Sequence, residues 1–519
     1  MLRVELIRPI PQLLVEHAER FQDKVAFYDD RSAVTYAELA ERTRRLAGHL
    51  VGRGLSRGDR VLIYLDNSVE TAESYLATTR AGVIGVCVNP QASPVEIAHM
   101  LADSDARMVI TDDAHLDRAR TLVAEEGSDV PIVVVTQGEV AADVQSYMQL
   151  ITTEPETPPR DDLDLDDVAW MLYTSGTTGR PKGVLLTQRS CLWVVAACWA
   201  PVAGLSPEDR VLCPLPLFHS FALDLCVLAV FAVGATERIM PRFSTGRVLE
   251  LLDEESFTVM PGVPTMFQYL LHGARERSFN SESLRLCISA GAIMPAALNA
   301  EFEQTLGVQL LEGYGTTETS TMVTMNWPVG GRVLGSCGLP VLGVGVRLVH
   351  PMTGEDVGVG EEGELWVSGP NVMRGYHNRA EATEEVLRHG WYRTGDLGRR
   401  DANGFLTITG RTKELIIRGG ENVYPAEVEA VLVKAAGVAD AAVVARKHPD
   451  LGEVPVAFVV PDRAGSLDVS ALLAACDSEL SKFKVPEQIF EADEIPRTAS
   501  GKIMRFQLQD RLTQDAVPG

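Results

Sequence analysis

The sequence predicts an α/β protein with a β-rich segment and a smaller α+β unit toward its C-terminal end. Three observations lead there. Short apolar runs alternate with helical patterns to about residue 340, as βαβ units require. A strand-dense stretch follows at 344–409, with turn signals at Thr353-Gly354 and Asn403-Gly404. Past Arg411-Thr412-Lys413 the pattern restarts as a short run of helices and strands.

The elements follow in order. Residues 60–65 and 107–111 read as strands, and 70–79 between them as a helix. The polar, proline-containing stretch 152–167 reads as a surface connection. The apolar runs 168–172 and 184–186 read as two strands flanking a loop. Residues 223–233 form the most apolar stretch, too short for a bilayer and read as a buried helix. In the last unit, helices are expected at 425–433 and 469–480 and strands at 441–444 and 456–460. A glycine-containing loop with Lys502 follows them.

With 519 residues, 46% of them hydrophobic, the chain can bury a large core and build more than one domain. Its formal net charge of −24 disfavours sequence-independent binding to nucleic acid and attachment to anionic lipid. No apolar signal segment opens the chain, and no membrane insertion is expected. The eight cysteines are scattered without metal-type spacing, so reduced core thiols in a cytoplasmic protein are expected.

The loop between the two central strands is the most informative segment. In Tyr173-Thr174-Ser175-Gly176-Thr177-Thr178-Gly179-Arg180-Pro181-Lys182-Gly183, glycines let backbone N–H groups turn toward a concave site and cradle phosphate oxygens. Thr174, Ser175, Thr177 and Thr178 add hydroxyl donors, and Lys182 adds a compact positive charge. The Walker A spacing is absent. A flexible surface loop is the competing reading of this segment taken alone.

This loop resembles the signature of the adenylate-forming superfamily of acyl- and aryl-CoA synthetases, adenylation domains and luciferases. The resemblance extends from Thr35-Tyr36-Ala37-Glu38-Leu39 to Gly501-Lys502. It implies a large N-terminal domain, 1–410, of layered α/β sheets plus a small β-barrel. It also implies a mobile C-terminal lid, 411–519, turning on a hinge at Lys413. The implied activity is that of an AMP-forming acid–thiol ligase using ATP, Mg²⁺ and coenzyme A, with an acyl carrier protein as the alternative acceptor. A non-catalytic sensor on the same scaffold is a further alternative. A homodimer is implied at the level of the family only.

The resemblance assigns residues motif by motif. Lys502, in Pro496-Arg497-Thr498-Ala499-Ser500-Gly501-Lys502, matches the adenylation lysine. In Gly313-Tyr314-Gly315-Thr316-Thr317-Glu318, Tyr314 is expected to stack on adenine, Thr317 to bond the α-phosphate and Glu318 to ligate Mg²⁺. Asp396 is expected on the ribose hydroxyls with Arg411 nearby. Gly291 and Ala292 line the adenine side. His219, in Pro216-Leu217-Phe218-His219-Ser220, gates an acyl pocket formed with Phe221, Met266, Gly313 and Met322. Gly419 and Gly420 are expected to line the path of the thiol arm. Lys482 and Lys484 are read as a basic lid patch near CoA phosphates or as solvated surface.

The departures are informative too. Ser220-Phe221-Ala222 lacks the aspartate that binds an amino group in amino-acid-activating relatives, although Asp224 lies slightly further on. Gln188 stands where many relatives have histidine, with no consequence readable from sequence. Ile417 stands where plant aryl-CoA ligases carry a lysine after the hinge.

Overall fold

A computed structural model describes residues 1–125, 129–174, 181–277, 282–419, 421–463, 465, 467–498 and 501–514. Two large sheets form the layered body. The first has eight strands, in the order Gly375–Tyr376, Lys182–Thr187, Val168–Thr174, Ile84–Cys87, Arg60–Tyr64, Ala106–Asp112, Ile132–Val135 and Gln145–Ser146. It is parallel from Val168–Thr174 onward and antiparallel at the other edge. The second has nine strands around a parallel centre, where Gln309–Tyr314, Leu286–Ser289, Val259–Gly262, Arg210–Cys213, Thr236–Ile239 and Val25–Tyr28 lie side by side.

The helix Val69–Ala81 lies between these sheets and is buried along its whole length. That explains its weak amphipathicity in the sequence: a helix covered on every side has no polar face. Its charged residues are paired instead. Glu73 meets Arg42 at 2.6 Å, and Arg80 meets Asp161 at 2.7 Å. Local chemistry sets the helix ends. Thr35 with Glu38, and Ser93 with Glu96, form reciprocal capping boxes, and Gly82 closes Val69–Ala81 with a left-handed φ of 72°.

The β-rich segment is a five-stranded antiparallel unit, with Gly345–Val349, Glu362–Ser368, Trp391–Arg400 and Leu387–Arg388 in order and Leu406–Arg411 paired to Trp391–Arg400. The final unit is a five-stranded sheet built on the long pair Val438–His448 and Gly452–Pro461. Helices Pro425–Lys434 and Val469–Glu479 cover it. All eight cysteines are free and buried. Among the described residues, no helix is long and apolar enough to cross a membrane.

Two details were invisible in the sequence. The apolar stretch at 223–233 is helical and fully buried, but Leu223–Ala229 is wound as a π-helix, as is Val195–Trp199 packed beside it. Gln188 has a structural task. Its Oε1 accepts from the Ile10 N–H at 2.8 Å, and its amide donates to the carbonyls of Leu163 and Asp164. It thereby pins the start of the first long helix to the connection before Val168–Thr174. Gln188→Ala leaves a buried N–H without its partner, so the melting temperature is expected to fall by about 2–3 °C. An unchanged melting curve would show that water replaces the side chain.

Candidate functional site

The site forms where the C-terminal ends of parallel strands meet the edge of the antiparallel unit and the lid. Gln309–Tyr314 delivers Gly313 and Tyr314, and the chain then turns sharply into a short helix, Thr317–Thr319, capped by Thr316. The turn requires glycine at 315, because a Cβ there would lie 1.6 Å from the Thr321 carbonyl oxygen. Gly313 packs against the fully buried Met322. The Tyr314 hydroxyl donates to Asp396 Oδ2 at 2.5 Å.

Asp396 and Arg411 sit directly opposite one another on paired strands, with Arg411 Nε 2.8 Å from Asp396 Oδ1. Asp396 is almost fully buried. The facing carboxylate raises the affinity of the Arg411 guanidinium for its proton, so this cation is permanent. Each Asp396 oxygen keeps a second lone pair for further donors.

Glu318 and Lys182, separated by 136 positions in the chain, are linked by a residue that motif reading missed. The Tyr376 hydroxyl donates to Glu318 Oε1 at 2.9 Å, while Lys182 Nζ lies over the Tyr376 ring, 5.1 Å from its centre. Tyr376 reaches both because Gly375–Tyr376 adds to the edge of Lys182–Thr187, with Tyr376 opposite Val184. Thr174 is paired across the hairpin with Lys182. Ser175, Gly176, Thr177, Thr178 and Gly179 lie outside the described residues, as does Gly420.

His219 caps the helical segment that continues into Leu223–Ala229. Its Nδ1 accepts from the Phe221 N–H at 3.3 Å, which leaves the ring proton on Nε2. Burial, reinforced by the charge of Lys502, holds its pKa down at about 4. The imidazole is therefore neutral near pH 7 and offers an N–H, not a positive charge. Ser220 Oγ lies 3.5 Å from Thr317 Oγ1, joining this segment to the Thr317–Glu318 turn. Phe221 and Met322 are buried, whereas Met266, on helix Pro264–Glu276, is half-buried.

Lys502 arrives from the other end of the chain. Its loop is closed by the Thr498 N–H on the Lys502 carbonyl and by the Lys502 N–H on Thr498 Oγ1. Arg497 braces it with a fork on Asp440, both bonds 2.9 Å, and a third bond to the Gly501 carbonyl. Gly501, at a left-handed φ of 83°, brings the loop against Val263 and Thr265 of the large domain. Burial and the charge of Arg411 lower the affinity of Lys502 for its proton, while Asp396, Glu318 and Glu414 oppose them. Lysine, neutral histidine and two carboxylates thus converge from four separate motifs.

Gly291 has a left-handed φ of 88°, and the half-exposed Ala292 follows it. The Met294 N–H in this loop donates to Glu312 Oε1 at 3.1 Å, an anchor absent from the motif reading. Burial raises the Glu312 pKa from 4.5 to about 8. The folded protein therefore holds this proton more tightly than the unfolded chain. The resulting stability is complete below about pH 4.5 and is lost as pH rises through about 8. Glu312→Gln, which cannot ionise, is expected to gain melting temperature relative to the parent between pH 5 and 8, with the difference level above that. A constant difference across this range would refute the buried neutral acid.

The lid residues divide. Lys413 is exposed in a turn closed by the Glu414 N–H on the Arg411 carbonyl, and Gly419 is exposed with a φ of 60°. Lys484 is held by both oxygens of Glu427 at 2.7 Å, so the basic lid patch is partly neutralised within the lid.

A family model described as AMP-binding enzyme matches residues 14–377, and one described as AMP-binding enzyme C-terminal domain matches residues 427–502. Naringenin synthase of Pestalotiopsis fici is 39% identical over 96% of this chain, and the chain spans only 19% of that relative's length. Feruloyl-CoA synthase of Amycolatopsis sp is 38% identical, the match covering 92% of this chain and 94% of the relative. Among solved structures, ATP-bound MatB from Rhodopseudomonas palustris superposes with a TM-score of 0.89 at 32% identity, over 98% of this chain and 100% of that one. Its apo form, at the same identity and coverage, reaches 0.77. The present structure thus superposes better on the ATP-bound form than on the apo form.

Proposed function

Because the chain belongs to the AMP-binding enzyme family and, within it, to the acyl- and aryl-CoA ligases, we propose that it activates a small carboxylic acid with ATP and transfers the acyl group to the thiol of coenzyme A. The observation that carries this reading is the seating of the Lys502 loop, through Gly501, against Val263 and Thr265 of the other half of the chain, where the lysine is buried and feels the charges of Arg411, Asp396 and Glu318. A binding module has no need of a lysine delivered to that point. The large domain is read as 1–410 and the lid as 411–519, hinged at Lys413.

The residues fit an adenine nucleotide. Asp396 retains lone pairs for two ribose hydroxyls while Arg411 and Tyr314 hold it in place. Tyr314, Gly291 and Ala292 border the space for the base. Lys182, the loop from Thr174 to Gly179 and Thr317 supply donors for the phosphates. Glu318 offers a hard oxygen to Mg²⁺, which when bound neutralises phosphate charge. The Nε2–H of His219 can orient the substrate carboxylate. The carboxylate oxygen attacks the α-phosphorus, pyrophosphate departs, and Lys502 stabilises the charge gathering between them. After lid rotation, the CoA sulfur attacks the acyl carbonyl and AMP leaves, with Gly419 and Gly420 along its path. The buried, free cysteines suit a cytoplasmic setting.

The test is a pyrophosphate-release screen over fatty, aryl and polycyclic acids, followed by product analysis with CoA or with a phosphopantetheinylated carrier. Acyl-CoA formation supports the reading. Transfer to the carrier with none to CoA overturns it.

A further inference from the structure

Cys213, Cys226 and Glu237 take no part in the site described above, yet the fold gathers them at one point of the interior. Each is 0% exposed. One donor atom from each, the two Sγ atoms and a carboxyl oxygen, lie within 4.8 Å of one another. Three elements deliver them. Cys213 ends the strand Arg210–Cys213, Glu237 belongs to the neighbouring strand Thr236–Ile239, and Cys226 lies on the π-helical stretch Leu223–Ala229. Val211 stands opposite Glu237 and Cys213 opposite Ile239, so Cys213 and Glu237 project from the same face of the sheet.

Glu237 is the anomaly among them. Neither of its carboxyl oxygens has a hydrogen-bond partner. Its chain neighbour Arg238 projects from the opposite face, where it bonds the Asp29 carbonyl and Asp30. The Tyr36 hydroxyl, near enough to feel Glu237, donates instead to the carbonyls of Val230 and Ala235, at 3.2 and 2.7 Å. The Cys213 thiol points to the Leu215 carbonyl, 3.6 Å away. Two orphaned oxygens at the centre of a parallel sheet carry a desolvation cost that the neighbouring protein groups do not offset. A bound cation offsets it, and the two thiols complete a set of donors for one.

We propose that Cys213, Cys226 and Glu237 form a buried structural site for a thiophilic divalent cation, for which zinc is the fitting ion. The donor set decides the metal. Magnesium and calcium take oxygen ligands, whereas two sulfurs and a carboxylate suit zinc. Tetrahedral zinc holds sulfur at about 2.3 Å and oxygen at about 2.1 Å, which sets its ligand atoms about 3.6–3.8 Å apart. The three donor atoms reach that spacing by side-chain movements of about an ångström. The Leu215 carbonyl already stands at it from Cys213 Sγ and is placed to be the fourth ligand. As the ion binds, both thiols release their protons to water, and its charge is shared by two thiolates and the carboxylate. The cross-link ties two strands of the nine-stranded sheet to the helical segment that His219 caps, and it touches neither nucleotide nor acyl group. It is independent of the ligase reading. No motif spacing betrays it, because its ligands come from three different elements.

The test uses the full chain, produced with zinc in the medium, dialysed against a weak chelator and assayed for metal by mass spectrometry. The parent is compared with Cys226→Ala, Glu237→Gln and, as a control for adventitious thiol binding, Cys476→Ala in the C-terminal unit. About one zinc per chain is expected in the parent and in Cys476→Ala, and less than about a tenth of that in the other two. Protein produced with cobalt alone should show an intense near-ultraviolet thiolate-to-metal band in the parent that Cys226→Ala loses. Added zinc should raise the melting temperature of the metal-stripped parent and leave that of Glu237→Gln unchanged. Should Cys226→Ala fail to fold, Glu237→Gln, which has nearly the shape of the parent, decides alone. A parent free of metal after growth in zinc would overturn the proposal and leave Glu237 a neutral acid between thiols. Equal zinc in the parent and Glu237→Gln, or loss of zinc from Cys476→Ala, would overturn it too.

Discussion

Lys502→Ala is expected to slow acyl-adenylate formation by about a thousandfold, the effect of removing a charged group aimed at developing phosphoryl charge. Thioester formation from pre-made acyl-adenylate should remain within a few-fold of the parent. The geometry argues for the separation. Lys502 is held over the site by a loop that Arg497 ties to Asp440 and to the Gly501 carbonyl, so alanine removes the ammonium group without loosening its support. Arg411, Asp396 and Glu318 are left in place for nucleotide binding. The measurement is single-turnover pyrophosphate release beside single-turnover thioester formation from the isolated adenylate. Equal losses in both steps, or in neither, would refute the role given to Lys502.

Glu318→Gln is the second large effect. The amide oxygen can still accept from the Tyr376 hydroxyl, so the link to the ring beneath Lys182 survives and the local fold is conserved. What disappears is the negative charge that a hard cation requires. Adenylation is expected to fall by about a hundredfold, with the rate saturating at higher Mg²⁺ concentration than in the parent. A variant with parental Mg²⁺ dependence would show that Glu318 orders Tyr376 and holds no metal. Tyr376→Phe separates these roles further: it keeps the ring under Lys182 and removes the hydroxyl, so it should weaken Mg²⁺ dependence far less than Glu318→Gln.

The α/β alternation, the β-rich segment, the α+β unit and the motifs from which the site is built are legible in the amino-acid sequence, whereas the layering of the sheets was implied by the family resemblance. The legible features are local properties. Alternating apolar runs dictate strands, a Thr-x-x-Glu pattern dictates the helix starting at Tyr36, and glycine at 315 marks a turn that no side chain permits. Which distant groups meet depends on the packed fold. Tyr376 lies 58 positions from Glu318, and no periodicity announces that an edge strand will carry it between Glu318 and Lys182. Strand register alone sets Arg411 opposite Asp396. The same limit hid the anchoring of Met294 by Glu312, the capture of Lys484 by Glu427 and the pinning of Ile10 by Gln188. Asp224 shows the limit most clearly. In the sequence it is one acid within an apolar run, but in the fold it is a buried oxygen without a partner beside Trp199. Burial and hydrogen-bond satisfaction belong to packed neighbours, and most of these neighbours are brought together by sheets whose strands come from distant parts of the chain.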